Sequence, residues 1–373
     1  MIGIVVTARA SWAKWETVVE VLDTAGTPVT IYACGQAVLP DYGEVVKIIR
    51  ARFPRIPVVE IWTHAEGTTP LTAAKAAGAL TSDLASHFHR DKPDVVAVMA
   101  DRSEVLAAAQ AAAYLGITLA HVQGGERTGS IDDRVRDAIT SLSDWHFPAT
   151  KRASMRVYGI TGHDPSRIIV SGCPSIDVCE AARHDPPITV KDLSGAGNPV
   201  DPAGRFALCL QHADTTSWKD AYQQMMATLF ALESVNIPVL IQWPNADAGG
   251  EGIAKAIRVF RNDHPAVAFH TLPNMPPRRF LRLMLQAKVL VGNSSCGIRE
   301  SSFLGVPSVT IGDRQQGRER AANVISVPYK EAAIAAAILQ QIAHGPYRSS
   351  TLYGHGRAGQ LIATKLQEIA HAS

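Results

Sequence analysis

The chain has 373 residues, 46% of them hydrophobic, and carries 36 basic and 34 acidic side chains for a formal charge of +2. That length exceeds one typical domain and predicts two. The near-neutral balance supplies no global field for nucleic acid, and no apolar stretch reaches the ~20 residues that a membrane span needs. The opening MIGIVVTARA has no basic region ahead of its apolar run, so it reads as a first buried strand and not as a signal peptide. Ile2 to Val6 is that strand, Thr7 to Ser11 a turn with Ser11 as helix N-cap, and Trp12 to Asp23 a helix. Gly26-Thr27-Pro28 breaks the chain. Strands are expected at Val29 to Ala33, Ile56 to Ile61 and Asp94 to Met99, with a helix from Thr69 to His89.

The segment from Val98 to Asp133 organises the first half. An apolar run ends at Asp101-Arg102-Ser103-Glu104, an Ala-rich helix follows, and a second apolar run, Ile117 to Val122, ends in Gln123-Gly124-Gly125-Glu126-Arg127-Thr128-Gly129. A helix from Ile131 to Ser143, a short strand at Trp145 to Pro148 and a strand at Ile168 to Ser171 leading into a helix at Gly172-Cys173-Pro174-Ser175 complete this half. The Pro- and Gly-rich stretch from Asp185 to Gly204 is the expected linker. Strands then recur at Phe206 to Leu210, Pro238 to Trp243, Val267 to His270, Val289 to Val291 and Ser308 to Ile311, with helices between them and a last helix from Leu361 to His371. Strand–helix alternation predicts an α/β fold with parallel sheets covered on both faces. Residues 1–184 are expected to form one Rossmann-like domain and 205–355 a second, the two facing across a cleft, with helix 356–373 packing back on the first.

Ligands of open α/β sheets bind outside the carboxyl ends of the strands. That rule points to Asp101, Arg102, Gln123, Glu126 and Arg127. Arg9 and Lys14 carry two readings: solvated surface charge, or anion contacts at a helix N-terminus. Asp132 and Asp133 at a helix start suit the helix dipole on their own. His121 and His146 read as core or supporting histidines. In the second half, GNSSCGIRE offers hydroxyl and backbone N–H donors at a helix N-terminus for a phosphate, with Glu300 one to two turns into that helix to accept two ribose hydroxyls. Arg314 could add a charge-assisted contact to a diphosphate. There is no Walker A motif and no G-x-G-x-x-G after the first strand. The five cysteines, Cys34, Cys173, Cys179, Cys209 and Cys296, lack metal-ligand spacing. They read as small buried residues of a cytoplasmic protein.

ADRSEVLAAA, HVQGGERTGSIDDRVRDAITSLSDWHF, SGCPSID, LQHADTT, WPNADAG, GNSSCGIRES and GVPSVTIGDRQQGRER together form a signature. On these residues the chain resembles the UDP-N-acetylglucosamine 2-epimerases, of the two-Rossmann glycosyltransferase-B fold, and most resembles their hydrolysing branch, the epimerases of sialic acid synthesis. The resemblance implies catalytic roles for Asp101, Asp132, His212 and Lys14, and leaves either Glu126 or Asp132 to take the work of a glutamate that many relatives have at position 123. It places Arg9, Arg102, Asn245, Ser294, Ser295, Glu300 and Arg314 on the nucleotide, and Gln123, from its place at a strand end, is expected to contact the substrate beside them. It implies UDP-N-acetylglucosamine and UDP as ligands, no metal or redox cofactor, no nucleic-acid or membrane partner, and a homodimer.

Two departures stand out. Gln123 occupies the position where many relatives have a catalytic glutamate, and an amide cannot act as a general base. RASWAK replaces the relatives' frequent RADYxK, so Ser11 and Trp12 stand where an acid and a phenol are common. The family reaction eliminates UDP to a 2-acetamidoglucal and adds back at the other face, which needs carboxylates to move protons and cations to stabilise the leaving diphosphate. The short GERTGSIDD loop matches the hydrolysing outcome, N-acetylmannosamine and UDP. The alternatives are a non-hydrolysing epimerase giving UDP-N-acetylmannosamine, a GDP-sugar epimerase, a glycosyltransferase on the same fold, and a non-catalytic nucleotide-sugar sensor.

Overall fold

The computed structural model describes residues 1–40, 43–63, 70–129, 131–214, 217–244, 249–273 and 275–372. Contacts divide the chain into two units: Met1–Glu126, Asp132–Val178 and Tyr353–Ser373 form the first, and Arg127–Ile131 with Cys179–Leu352 the second. Among the described residues no helix is long and apolar enough to cross a membrane.

The first unit runs β1 (Ile2–Val6), α1 (Arg9–Thr24), β2 (Val29–Cys34), α2 (Val45–Arg52), β3 (Val58–Ile61), α3 (Pro70–Asp91), β4 (Val95–Met99), α4 (Ser103–Tyr114), β5 (Thr118–Val122), α5 (Asp132–Leu142), β6 (Trp145–Phe147) and α6 (Lys151–Thr161). Its six-stranded sheet has the order β3-β2-β1-β4-β5-β6, and every pair is parallel. Strands this apolar need cover on both faces. Along β1, Ile2, Ile4 and Val6 enter one layer with Trp15, Val18 and Leu22. Val5 enters the opposite layer with Tyr32, Phe88, Val98 and Val105. The order reverses between β1 and β4, which is where a doubly wound sheet opens a crevice at its carboxyl edge.

α7 (Pro174–Arg183) begins in the first unit and ends in the second, which continues through β7 (Ala196–Gly197), β8 (Ala207–Leu210), α8 (Ala221–Val235), β9 (Val239–Gln242), α9 (Gly250–Asp263), β10 (Phe269–Leu272), α10 (Pro277–Gln286), β11 (Val289–Gly292), α11 (Glu300–Leu304), β12 (Ser308–Ile311), β13 (Val324–Val327) and α12 (Glu331–His344). The strand order is β13-β12-β11-β8-β9-β10-β7, parallel throughout except for antiparallel β7. The winding of the first sheet is thus repeated, with its reversal between β8 and β11. Finally α13 (Ala358–Ala372) rejoins the first unit, where Ile362, Leu366 and Ile369 complete the layer around Trp15. The Asp177 carboxylate caps α13 by accepting the amides of Ala358 at 3.0 Å and Gly359 at 2.6 Å. A Cβ at Gly359 would lie 2.5 Å from Thr17 Oγ1, so only glycine permits this approach of α13 to α1.

Local expectations change in several places. Ser11 is not the N-cap: α1 starts two residues earlier, and the Ser11 hydroxyl accepts the amides of Thr7 and Ala8 from inside the first turn. The segment Ile168 to Ser171 forms one isolated bridge, His146 with Ile168, and no strand. Asp185 to Gly204 lies in the second unit and contributes β7. Gly195 and Gly197 allow this, because a Cβ on either would fall 1.8 and 2.2 Å from the carbonyl oxygens of Thr271 and Phe269. Glu300 is the first residue of α11, following a 3-10 turn at Ser295–Gly297, and does not sit one to two turns inside a helix.

Candidate functional site

In the first unit, the carboxyl ends of β4 and β5 carry the unusual backbone. Ala100 and Gln123, each the residue after its strand, have φ of 69° and 66°. A non-glycine residue pays about 1–2 kcal/mol for that left-handed conformation, and such residues cluster at functional sites. The twist directs the chain into Asp101 on one strand and into the Gly124-Gly125-Glu126 turn on the other. Gly125 has φ of 77°, and a Cβ there would lie 2.2 Å from the carbonyl oxygen of Ala153.

Arg136 gathers these ends. It lies on α5, 1% exposed, and forms ion pairs with Asp101 and, at 2.8 Å, with Asp133. Its guanidinium also donates to the Glu126 carbonyl at 2.6 Å. Glu126 is itself buried, and Asp132 is the first residue of α5. A buried guanidinium needs such partners, because its charge is costly to remove from water. No local pattern singles out Arg136, because an i,i+3 spacing to Asp133 is also that of an ordinary surface pair.

Lys14 and Gln123 meet as well. Lys14 Nζ donates to Gln123 Oε1 at 2.9 Å, and Gln123 Nε2 donates to Cys173 Sγ at 2.8 Å, which in turn lies 2.8 Å from Ser175 Oγ. An ammonium can only donate, so it orients the amide and leaves Nε2 facing a sulfur acceptor. Cys173, expected as inert packing, is thus a hydrogen-bond partner of Gln123. Arg102 turns to Glu104 at the start of α4 in a two-pronged contact of 3.2 Å each. The Arg9 side chain packs on Gly43, where a Cβ would come within 3.1 Å of Arg9 Cδ, and burial lowers its pKa from the ordinary value.

Two buried histidines face each other on neighbouring strands, and one of them reaches a strand end. His121 Nε2 lies 2.9 Å from the Ala100 carbonyl and Nδ1 lies 3.1 Å from Thr140 Oγ1. Burial pushes its pKa down to about 4. His146, paired with it across β5 and β6, is pushed by burial, then by His121 and His163, to about 3.

The second unit has its own switch-point cluster. Gly292 ends β11 with φ of 141°, and a Cβ there would fall 1.9 Å from the Leu210 carbonyl oxygen. The next residue, fully buried Asn293, clamps the end of β8: its Oδ1 accepts the His212 amide at 2.8 Å and its Nδ2 donates to the His212 carbonyl at 2.7 Å. Arg314 donates to the Asn293 carbonyl at 3.2 Å. Asn293 therefore holds His212 and Arg314 together, a role that a polar residue directly after a strand could have signalled. Ser294 stands at the N-cap position of the 3-10 turn that begins at Ser295, without a side-chain capping bond, and its Oγ accepts from Cys296 Sγ at 3.2 Å. Glu300 is 8% exposed, and its Oε2 is buried with no hydrogen-bond partner among the described residues. Asn245 lies outside the described residues.

The pattern of the UDP-N-acetylglucosamine 2-epimerase family matches residues 21–367. A Legionella pneumophila protein named UDP-N,N'-diacetylbacillosamine 2-epimerase (hydrolyzing) is 31% identical, with 79% of this chain and 76% of that protein covered. A Neisseria meningitidis UDP-N-acetylglucosamine 2-epimerase is also 31% identical, over 71% of this chain and 68% of that one. A Campylobacter jejuni GDP/UDP-N,N'-diacetylbacillosamine 2-epimerase (hydrolyzing) is 29% identical over 87% and 83%. Among solved structures, the Methanocaldococcus jannaschii UDP-GlcNAc 2-epimerase in complex with UDP-GlcNAc and UDP superposes with a TM-score of 0.80 at 18% identity, covering 98% of this chain and 99% of that one. The Neisseria meningitidis enzyme bound to UDP-GlcNAc gives 0.78 at 17%, covering 99% and 100%. These likenesses show a common fold of two Rossmann-like units, and a family pattern spanning nearly the whole chain decides the rest: this protein belongs to the UDP-N-acetylglucosamine 2-epimerase family of nucleotide-sugar epimerases.

Proposed function

We propose that this chain is a hydrolysing 2-epimerase of a UDP-linked N-acetylated hexosamine, releasing UDP and the 2-epimeric free sugar, with UDP-N-acetylglucosamine as substrate and N-acetylmannosamine as product. The observation that carries the reading is the buried Arg136 cluster, which sets Asp101 and the Glu126 turn at the ends of adjacent strands beside the start of α5. The C2 proton of the sugar is not adjacent to a carbonyl. Breaking the C1–O bond to the diphosphate builds positive charge at C1 and makes that proton removable, giving a 2-acetamidoglucal. Asp101, Asp132 and Glu126 are assigned the proton transfers, one from each face. Lys14, Arg9 and His212 stabilise the departing UDP. Ser294, Ser295 and Arg314 hold the diphosphate. Glu300 accepts the ribose hydroxyls, a role supported by its buried Oε2, which has no hydrogen-bond partner among the described residues. Arg102, Gln123 and Asn245 complete the substrate contacts. Water then adds to C1 of the glycal. The homodimer and a cytoplasmic location remain part of the proposal.

The names of two relatives favour a second reading, in which the sugar is N,N'-diacetylbacillosamine and the nucleotide UDP or GDP. Proton NMR in deuterated water, run with each nucleotide sugar, separates these readings. Deuterium at C2 with free nucleotide and free 2-epimer is the expected result. A mixture of UDP-sugars with little free UDP makes the enzyme non-hydrolysing. Binding without exchange for every sugar overturns the epimerase assignment in favour of a sensor.

A further inference from the structure

We infer that His121 is a positioning residue: through one hydrogen bond to the Ala100 carbonyl it holds the strained turn that aims Asp101. The inference rests on the proton-transfer role given to Asp101. Ala100 occupies left-handed backbone, and such a conformation persists only where its surroundings over-determine it. Both of its peptide groups are fastened. Its amide donates to the Val122 carbonyl at 3.0 Å, as a continuation of the β4–β5 ladder. Its carbonyl faces His121 Nε2 at 2.9 Å. A carbonyl only accepts, so Nε2 must carry the proton. Nδ1 is then a lone-pair acceptor, and the Thr140 hydroxyl at 3.1 Å donates to it.

Three features keep this arrangement in place. His121 and Thr140 are fully buried, so water does not compete for either nitrogen. Burial also keeps the ring neutral, which leaves Nδ1 able to accept. Gly124 leaves the necessary space: a Cβ there would lie 2.9 Å from both His121 Nδ1 and Thr140 Oγ1. The chain thus commits His121, Gly124 and Thr140, spread over β5, its turn and α5, to one carbonyl. That carbonyl belongs to the residue before Asp101, whose carboxylate is held at its other end by Arg136. With the imidazole gone, Ala100 is free to relax, and the carboxylate departs from the geometry that Arg136 alone cannot fix.

The test combines two variants with one measurement independent of turnover. His121→Gln keeps an N–H donor near the Nε2 position, and His121→Leu removes it. Leu is expected to lower kcat by about 100-fold, the cost of roughly 1 Å of misplacement at a reacting group, with KM within two-fold of wild type. Gln is expected to recover at least ten-fold of that loss. Nitrogen-15 NMR of histidine-labelled wild type is expected to show His121 as the neutral Nε2–H tautomer. A neutral Nδ1–H tautomer, or Gln and Leu variants of equal kcat, overturns the inference. Should wild type turn over no nucleotide sugar, the function reading fails while the tautomer still decides the His121 contact. Should His121→Leu not fold, the tautomer and the Gln variant against wild type decide it.

Discussion

Replacing Arg136 with methionine keeps the length of the side chain and removes its five donors. The bonds that disappear include two to the carboxylates of Asp101 and Asp133 and one to the Glu126 carbonyl. Charge-assisted bonds contribute roughly 1.5–3 kcal/mol each when buried. The carboxylates retain some water, with side chains 21% and 16% exposed, so the two ion pairs are discounted toward the lower end. The methionine also recovers some apolar burial. The net loss is about 3 kcal/mol, within the ~3–5 kcal/mol range for breaking a buried ion pair. For a unit of this size each kcal/mol moves Tm by about 2–4 °C, so a drop of ~6–12 °C is expected by calorimetry. Arg136→Lys keeps the charge but loses the fork, and falls between wild type and methionine. Turnover is expected to decrease by about 100-fold or more in Arg136→Met. A methionine variant that melts within ~2 °C of wild type and turns over normally would refute the argument that this guanidinium organises the strand ends.

Other substitutions probe separate parts of the same reasoning. Gly124→Ala forces a methyl against His121 and Thr140 and is expected to destabilise by ~1–3 kcal/mol, read from the urea midpoint; an unchanged midpoint contradicts the tight approach. Glu300→Gln is expected to weaken UDP binding about ten-fold by calorimetric titration while leaving Tm unchanged or higher, because the carboxylate oxygen it replaces is buried without a hydrogen-bond partner among the described residues. A fall in Tm with unaltered affinity argues for a structural role instead. Stability should also depend on pH through His121 and His146, whose folded values of about 4 and about 3 lie below the unfolded ~6.5. The unfolded chain binds the extra protons, so this stability is fully present above about pH 6.5 and declines as pH falls toward 4, by up to ~1.4 kcal/mol per pH unit for each ring. His146→Phe should reduce that slope, and a urea midpoint that stays flat from pH 7 to 5 would exclude buried neutral rings.

The strands were legible because a parallel sheet covered on both faces writes continuous apolar runs, as in IGIVV and VVAVM. The polar residues after such runs pointed to the carboxyl ends of the strands, but the strand order that sets each switch point was not legible. Shorter or less apolar elements were not legible: α2 and α6 have mixed surfaces, and the edge strand β13 is only partly buried. β7 was hidden because its glycines, which signal a break locally, serve a close backbone approach set by the distant strand β10. The candidate site divides in the same way. Asp101 and Glu126 follow from position after a strand, and His212 from the family resemblance. Arg136, Asn293 and Cys173 matter through partners from elsewhere in the chain, or through backbone groups, and no local pattern reports those. Gln123 was visible as a departure, but its link from Lys14 to Cys173 was not.

The return of α13 also dictates an order of events during protein synthesis. Ile2, Ile4, Trp15 and Val18 are made before the second unit, yet their layer is closed by Ile362, Leu366 and Ile369, which are made after it. A nascent chain must therefore hold that sheet face open while the whole second unit is translated. The second unit has no such debt and is able to finish first, so the half made earlier is the half completed last. Chains halted before residue 353 would present an uncovered Trp15 layer, a surface for chaperones or for aggregation.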